Sequence, residues 1–389
     1  MTDFKISMSP QQLTEKAREI TGITTIIDEE INEPLTRLVH ALNTEAQLSE
    51  SGAVAASNRI LRILSNRLRM LRDFENHPEI SEIALPPIAF LTGGPRTGST
   101  KLHKLLAYSG DFKYLKLWHG YSLSLRTGSR EEDPNDRIKD TDKFTQWFNE
   151  KVPMAKMTHF FETQEPEEES FILEHAGFGT FMMPFFFIPS FIQWHVAHNA
   201  KKDFLFLRKS LQYLQWQFYR SDDKPWVLKY PSYVGFEPIL AEVFPEGKFI
   251  ATHRNPVDFF ASGCSLVDNY YLAYSEVNRK KVIGQMLLEG IGQGLNQAAD
   301  VRHQKPELNI LEISYSQLLG SDEEIIKQVY QHLDMPLSSR AEEAMQDWSE
   351  SNKQHKHGTH KYSLSDFSIT KEQINSKCKN YIDTFEKYF

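Results

Sequence analysis

Two cysteines, Cys264 and Cys378, are all the thiols in this chain of 389 residues. They are too few for a disulfide framework, so an apolar core must hold the fold, and a reducing compartment is the expected setting. Long hydrophobic runs are missing as well. No stretch of about 18 apolar residues free of charge occurs, which excludes a membrane-spanning helix. The opening MTDFKISMSPQQL carries no apolar segment of the secretory kind, and a cytoplasmic protein is expected. Positive charge is not in excess either: 44 Lys and Arg stand against 52 Asp and Glu, for a net charge of −8. That balance argues against a broad nucleic-acid surface while leaving room for local basic pockets. Internal repeats and low-complexity segments are also absent. The length suits one large α/β domain with a helical extension.

Residues 10–80 carry a helical pattern. Ser9-Pro10 is a plausible start, and apolar residues then recur at three- to four-residue spacing through Ile31, Leu35, Leu38 and Leu42, and again through Ile60, Leu64, Leu68 and Leu71. Pro86-Pro87 closes this region, so residues 1–85 are expected to be a helical extension and residues 86–389 the main domain. Strands are expected at Ile88–Leu91, Phe112–Trp118, Trp226–Lys229, Lys248–His253 and Leu308–Ile313, with helices over residues 101–109 and about 270–303. The charged run at 128–145, with Glu131, Glu132, Asp133 and Asp136, reads as a solvated loop or helix face. Alternation of strands and helices predicts an α/β fold: a P-loop-type three-layer α/β/α sandwich on a parallel sheet.

The residue most conspicuously missing is a lysine. Ile88-Ala-Phe-Leu-Thr-Gly93-Gly-Pro-Arg96-Thr97-Gly98-Ser99-Thr100 reads as strand, glycine turn and helix start. Backbone N–H groups and the positive end of a helix converge there to cradle a phosphate. The spacing is that of a Walker A loop, yet Ser99 occupies the place of the Lys that β- and γ-phosphates require. ATP or GTP hydrolysis is disfavoured, and a shorter phosphate chain is implied.

A second anion site lies downstream, in His253-Arg254-Asn-Pro256-Val-Asp-Phe-Phe-Ala-Ser262. A nucleoside triphosphatase would place a magnesium-binding Asp at such a strand end, whereas this chain has Arg254. Pro256 fits a helix start, and Ser262 comes about two turns later, so Arg254 and Ser262 can face one phosphate. Two anion sites with no evident metal ligand suit a nucleotide bearing a 5′-phosphosulfate and a 3′-phosphate.

The combination PRTGST and RNPVDFFAS resembles the sulfotransferase superfamily that uses 3′-phosphoadenosine 5′-phosphosulfate (PAPS). More narrowly, it is similar to the bacterial-type sulfotransferase-family proteins with loops of the form PRTGTT and HRDP. Ser210–Trp216, Trp226-Val-Leu-Lys229-Tyr-Pro231, Gly358-Thr-His360-Lys-Tyr362 and the stretch with Asn66-Arg67 and His77-Pro78 extend the resemblance over nearly the whole chain. It implies that Arg96, Thr97, Gly98, Ser99 and Thr100 bind the 5′-phosphosulfate and that Arg254 and Ser262 bind the 3′-phosphate. Tyr315 would lie near the adenosine, and the loop with Gly358 and His360 would close over the nucleotide.

Sulfuryl transfer needs an acceptor hydroxyl in line with the breaking S–O bond, a base, and cations to support charge on the leaving phosphate. Lys229 matches the family's Lys-x-Pro and is expected at the bridging or sulfuryl oxygen. The Trp-Glu often found in the bacterial group reads Trp118-His119 here, which makes His119 the candidate base. Glu168 and Glu169, which resemble an acidic pair of that group, are the alternatives. The His of the family's K-x-P-x-H is replaced by Tyr233. Nine phenylalanines between Phe160 and Phe191, with Met182 and Met183, read either as an apolar pocket for a lipid-like or aromatic alcohol or as ordinary core. A carbohydrate acceptor also stays open.

His355, His357 and His360 do not match a zinc spacing, and no metal is expected. The N-terminal helices leave homo-oligomerisation open. Two other functions compete with sulfotransfer: a P-loop kinase or NTPase, and a protein that binds PAPS or its bisphosphate product without catalysis.

Overall fold

Four short strands form one parallel sheet in the order β2-β1-β3-β4: β1 Ile88–Leu91, β2 Trp226–Lys229, β3 Gly247–His253 and β4 Leu311–Ser314. The structure is a computed structural model describing residues 4–154, 159–179, 182–198, 200–320, 322–352 and 362–389. Side chains along each strand alternate between two cores. Ile88, Phe90, Trp226, Leu228 and Phe249 face one, and Ala89, Leu91, Val227 and Ile250 face the other. Both faces are therefore covered, as a parallel sheet requires, giving the three-layer arrangement. From β1 the order runs to β2 on one side and β3 on the other. The loops leaving these strands diverge there, opening a crevice at the carboxyl ends.

Ahead of the sheet lie α1 (Pro10–Thr21), α2 (Asn32–Thr44) and α3 (Glu50–Asn76). The start of α1 is set by Ser9, which caps Gln12 reciprocally, and by Pro10 at the first position; Gly22 at φ 68° ends it. These helices do not stand apart from the chain beyond residue 85. Leu38, Ile60 and Leu64 share one core with Phe148, Phe171, Phe185 and Tyr274. A buried carboxylate, Glu174, joins the two regions by ion pairs to Arg59 (2.9 Å) and Arg62 on α3.

Several expectations change. The expected strand at Phe112–Trp118 reduces to single bridges from Lys113 to Trp226 and from Lys116 to Pro166, because the chain turns into α5 (Leu117–Tyr121). The charged run is solvated at Glu131, Asp133 and Asp136, as expected, and leads into α6 (Asn135–Lys151), which buries Arg137, Thr141, Phe144 and Phe148. The long helix expected near 270–303 is two, Pro256–Tyr271 and Lys280–Gln304. Pro306 starts a 3₁₀ turn that delays β4 to Leu311. Phenylalanines 161, 171, 178, 185, 186 and 191 are buried core side chains, so that part of the Phe-rich segment packs the fold.

Candidate active site

The loop after β1 is held open by its own backbone. Arg96 (φ 63°) and Gly98 (φ 89°) are both left-handed, and helix α4 (Ser99–Tyr108) starts from Gly98. A Cβ on Gly98 would lie 3.0 Å from both the Tyr315 ring and Leu318 as well as facing an unfavourable φ, so only glycine suits this position. Thr97 points inward, its hydroxyl 2.6 Å from the Gly94 carbonyl and 2.7 Å from the Thr252 hydroxyl. The Thr97 side chain thus braces the loop against β3. Ser99 is buried at the helix start and Thr100 is exposed.

A second wall comes from beyond β3. Asn255 caps the helix Pro256–Tyr271 through its side chain, with Pro256 at the first turn. Arg254, just before the cap, donates from its guanidinium to the Arg96 carbonyl at 3.2 Å and lies 4.3 Å above the Tyr315 ring. Two turns along the helix, the Ser262 hydroxyl accepts from Arg96 Nε at 3.1 Å. Residues 96, 98, 254, 262 and 315, far apart in sequence, therefore meet at one place. Behind them His253 is buried between the Tyr381 hydroxyl at 2.8 Å and the Glu312 carboxylate, with the Phe385 ring stacked at 4.1 Å.

The third wall is ionisable. Lys229 ends β2 almost fully buried, and its ammonium pairs with Glu168. Next to Glu168, Glu167 receives His159 Nε2 at 3.0 Å on both carboxylate oxygens and the Glu168 N–H at 2.8 Å. Burial alone would raise the Glu167 carboxyl, but His159, the Glu168 N–H and Lys229 together bring it down to about 2. His103 on α4 completes this wall. Burial first, and then Lys229, lower its imidazole to about 3, so it is neutral, and its Nε2 has no hydrogen-bond partner among the described residues. Burial raises Tyr270 well above the usual range; Glu167 and Glu168 add to that rise and Arg96 opposes it. The Tyr270 hydroxyl accordingly lies within electrostatic reach of both the carboxylates and Arg96 of the glycine loop.

His119 is the base expected from the sequence, and its surroundings give it another job. It is 4% exposed, stacks on Phe218 at 5.3 Å, and its Nδ1 accepts the Lys116 N–H in the cap of α5. Burial, Lys116 and Arg137 lower it to about 3. Its lone pair is committed to the helix start, and its neighbours are not those of Lys229. Glu169 is fully buried and accepts the Lys229 N–H at 2.9 Å and the Tyr233 hydroxyl at 3.1 Å. Burial pushes its carboxyl up to about 8. Glu169 clamps the end of β2, and Tyr233, in place of the family's His, is part of that clamp. Gly358, His360 and the other histidines of that loop lie outside the described residues. His159, Glu167, Tyr270 and His103 escape the sequence reading. His159 and Glu167 stand eight residues apart with no helical or strand period between them, and only the local fold makes them partners.

A parallel sheet whose β1 loop opens on a helix start, with an arginine from the neighbouring strand end and a lysine from the other, marks an α/β fold that gathers charged side chains at the carboxyl ends of its strands. The chain belongs to the sulfotransferase family, whose sequence profile matches residues 87–339. It resembles the crystal structure of sulfotransferase STF1 from Mycobacterium tuberculosis H37Rv at 24% identity and TM-score 0.80, covering 96% of this chain and 99% of that one. Sulfotransferase STF9 from Mycobacterium avium is similar at 20% identity and TM-score 0.84, covering 99% and 98%. Those likenesses establish the shared fold, N-terminal helices included. No curated protein matches the chain. Among the described residues no helix is long and apolar enough to cross a membrane.

Proposed function

We propose that this protein transfers the sulfuryl group of PAPS to a hydroxyl of a small-molecule acceptor by in-line displacement. The observation that carries the reading is the convergence of Arg96, Ser262, Arg254 and Tyr315 on the glycine loop. In this reading Arg96, the Thr97–Thr100 backbone and the Ser99 and Thr100 hydroxyls hold the 5′-phosphosulfate. Arg254 and Ser262 take the 3′-phosphate, the Arg as a planar charged fork and the Ser as a neutral donor. Tyr315, already carrying the Arg254 guanidinium on its face, flanks the adenosine. The segment with Gly358 and His360 is assigned to cofactor contact from sequence alone.

Lys229 supports the negative charge that grows on the bridging oxygen as the S–O bond breaks. To do so it must exchange part of its pairing with Glu168 for the phosphosulfate, so Glu168 acts as the resting counter-ion of Lys229. Magnesium has no assigned part, because a sulfuryl group carries less charge than a phosphoryl group and the arginines and lysine supply the compensation.

Thermal stabilisation tests the donor. Adenosine 3′,5′-bisphosphate without magnesium should raise the melting temperature, as a ligand specific to the native state does, while ATP with magnesium should not. Stabilisation by ATP with magnesium alone would reject the reading in favour of a kinase or NTPase.

A further inference from the structure

Displacement at sulfur needs a group to take the acceptor's proton, and the residues expected for that work are engaged elsewhere: His119 caps a helix and Glu169 clamps a strand end. Glu168 is paired with Lys229. One ionisable group in the same wall is mounted differently. His159 presents Nε2 to Glu167 and is 19% exposed, far more open than His119. We propose that His159, anchored by Glu167, is the base that accepts the proton of the acceptor hydroxyl. The proposal rests on the sulfotransfer reading and deepens it.

Glu167 is a rigid mount. Its N–H donates to the Leu115 carbonyl at 2.8 Å, its side chain is buried, and the Glu168 N–H holds one carboxylate oxygen. An ionised carboxylate can only accept, so the 3.0 Å contacts make His159 Nε2 the protonated nitrogen. That leaves the lone pair on Nδ1, the tautomer a base needs. A carboxylate behind an imidazole also stabilises the imidazolium that forms. Placement agrees with the chemistry: atoms of His159, Glu167 and Glu168 lie within 4.8 Å of one another, and Glu168 carries Lys229. The base and the charge-stabilising cation thus sit on adjacent carboxylates, Glu167 and Glu168. The Phe161 ring, 5.1 Å from that of His159, and the nearby Tyr270 form an apolar floor beside it.

In the transfer step the acceptor oxygen forms its bond to sulfur while the bond from sulfur to the 5′-phosphate oxygen of PAPS breaks. The electron pair of that bond stays on the phosphate, giving adenosine 3′,5′-bisphosphate. The hydroxyl proton moves to His159 Nδ1 and leaves to solvent after the products do.

Two measurements test this. The first is the tautomer, read on the full chain labelled with nitrogen-15 histidine, with His159→Asn identifying the resonance. Near pH 8, where an ordinary imidazole is neutral, the Nε2-protonated form is expected; an Nδ1-protonated ring would overturn the proposal without reference to turnover. The second is transfer of labelled sulfate from PAPS to 2-naphthol, 1-dodecanol, cholesterol or glucose. His159→Asn should lower kcat by about 10²–10⁴-fold while leaving adenosine 3′,5′-bisphosphate affinity within about threefold. Glu167→Gln should lower kcat while leaving bisphosphate affinity within about threefold, since the imidazole loses the carboxylate that fixes its Nε2 proton. Normal bisphosphate binding with kcat of His159→Asn within about threefold of wild type would overturn the assignment alone. If the wild type fails to bind the bisphosphate, the donor reading falls and the assignment falls with it.

Discussion

Arg254 is tied to Tyr315 by a cation–π contact of 4.3 Å, and the same Tyr315 ring closes the underside of Gly98. One aromatic side chain therefore touches both the loop after β1 and the strand end of β3.

Arg254→Lys keeps the charge and loses the fork. Its affinity for adenosine 3′,5′-bisphosphate by calorimetry should fall by about 10-fold or more, because charge-assisted bonds from a bidentate group contribute roughly 1.5–3 kcal/mol. Tyr315→Leu should cost less, about 0.5–2 kcal/mol of binding, the range of a cation–π contact. Equal binding by both variants and the wild type would remove Arg254 from the site.

Lys229 separates chemistry from stability. Lys229→Met strands Glu168 in a mostly buried position, and breaking such a pair costs about 3–5 kcal/mol in urea unfolding. Adding Glu168→Gln should restore most of that stability. Transfer should stay depressed by roughly 10²–10³-fold in both variants if Lys229 supports the leaving oxygen. Recovery of turnover along with stability would make the lysine structural.

His119→Gln probes the opposite kind of residue. Glutamine at the third position of a helix can accept the Lys116 N–H as the imidazole does, so activity should remain within about threefold of wild type. The pH dependence of stability should change. The folded chain holds this imidazole neutral down to about 3 against an ordinary value of 6.5. The unfolded chain binds the proton first, so this stabilising contribution is present above about 6.5 and is lost as pH falls through the window towards about 3. Melting temperatures across that window should fall less steeply for His119→Gln than for wild type.

Glu174→Ala leaves Arg59 and Arg62 without their common carboxylate inside the core shared by α3 and the segments around Phe171 and Phe185. Loss of about 3–5 kcal/mol is expected in denaturant unfolding, as for other buried pairs deprived of one partner. By the same logic residues 86–389 expressed alone should show molten behaviour, with dye-accessible apolar surface, because the partners of Phe148 and Phe185 are gone. A sharp, cooperative melt from that fragment would contradict the shared core.

Much of the frame is legible in the sequence. Ile88–Leu91, Trp226–Lys229 and Gly247–His253 are short apolar runs bounded by turn residues, and the glycine loop announces itself through Gly98, whose backbone no other residue adopts cheaply. Arg254 and Ser262 are legible as polar residues either side of the helix start marked by Pro256, whereas their separate contacts with Arg96 are not. The base is not. His119 resembles a catalytic residue by position, yet whether its Nδ1 is free or spent on the Lys116 N–H is a matter of local backbone path. The Phe-rich segment is legible only as apolar, since composition cannot distinguish a core from a pocket. Lys113 shows the limit for strands: one bridge to Trp226 is all the edge sustains before Leu117 begins a helix.

The seat of His253 has a consequence for how the chain is made. The Tyr381 hydroxyl that fixes this histidine comes from 128 residues further along, and Phe385 lies just beyond it. During synthesis the loop after β1 and the N-terminal helices emerge first and can pack early. The Arg254 turn, however, lacks its backing until the segment carrying Tyr381 has cleared the ribosome. A nascent chain would therefore hold the loop after β1 in place for many seconds before the Arg254 turn could set, at synthesis rates of about 5–20 residues per second.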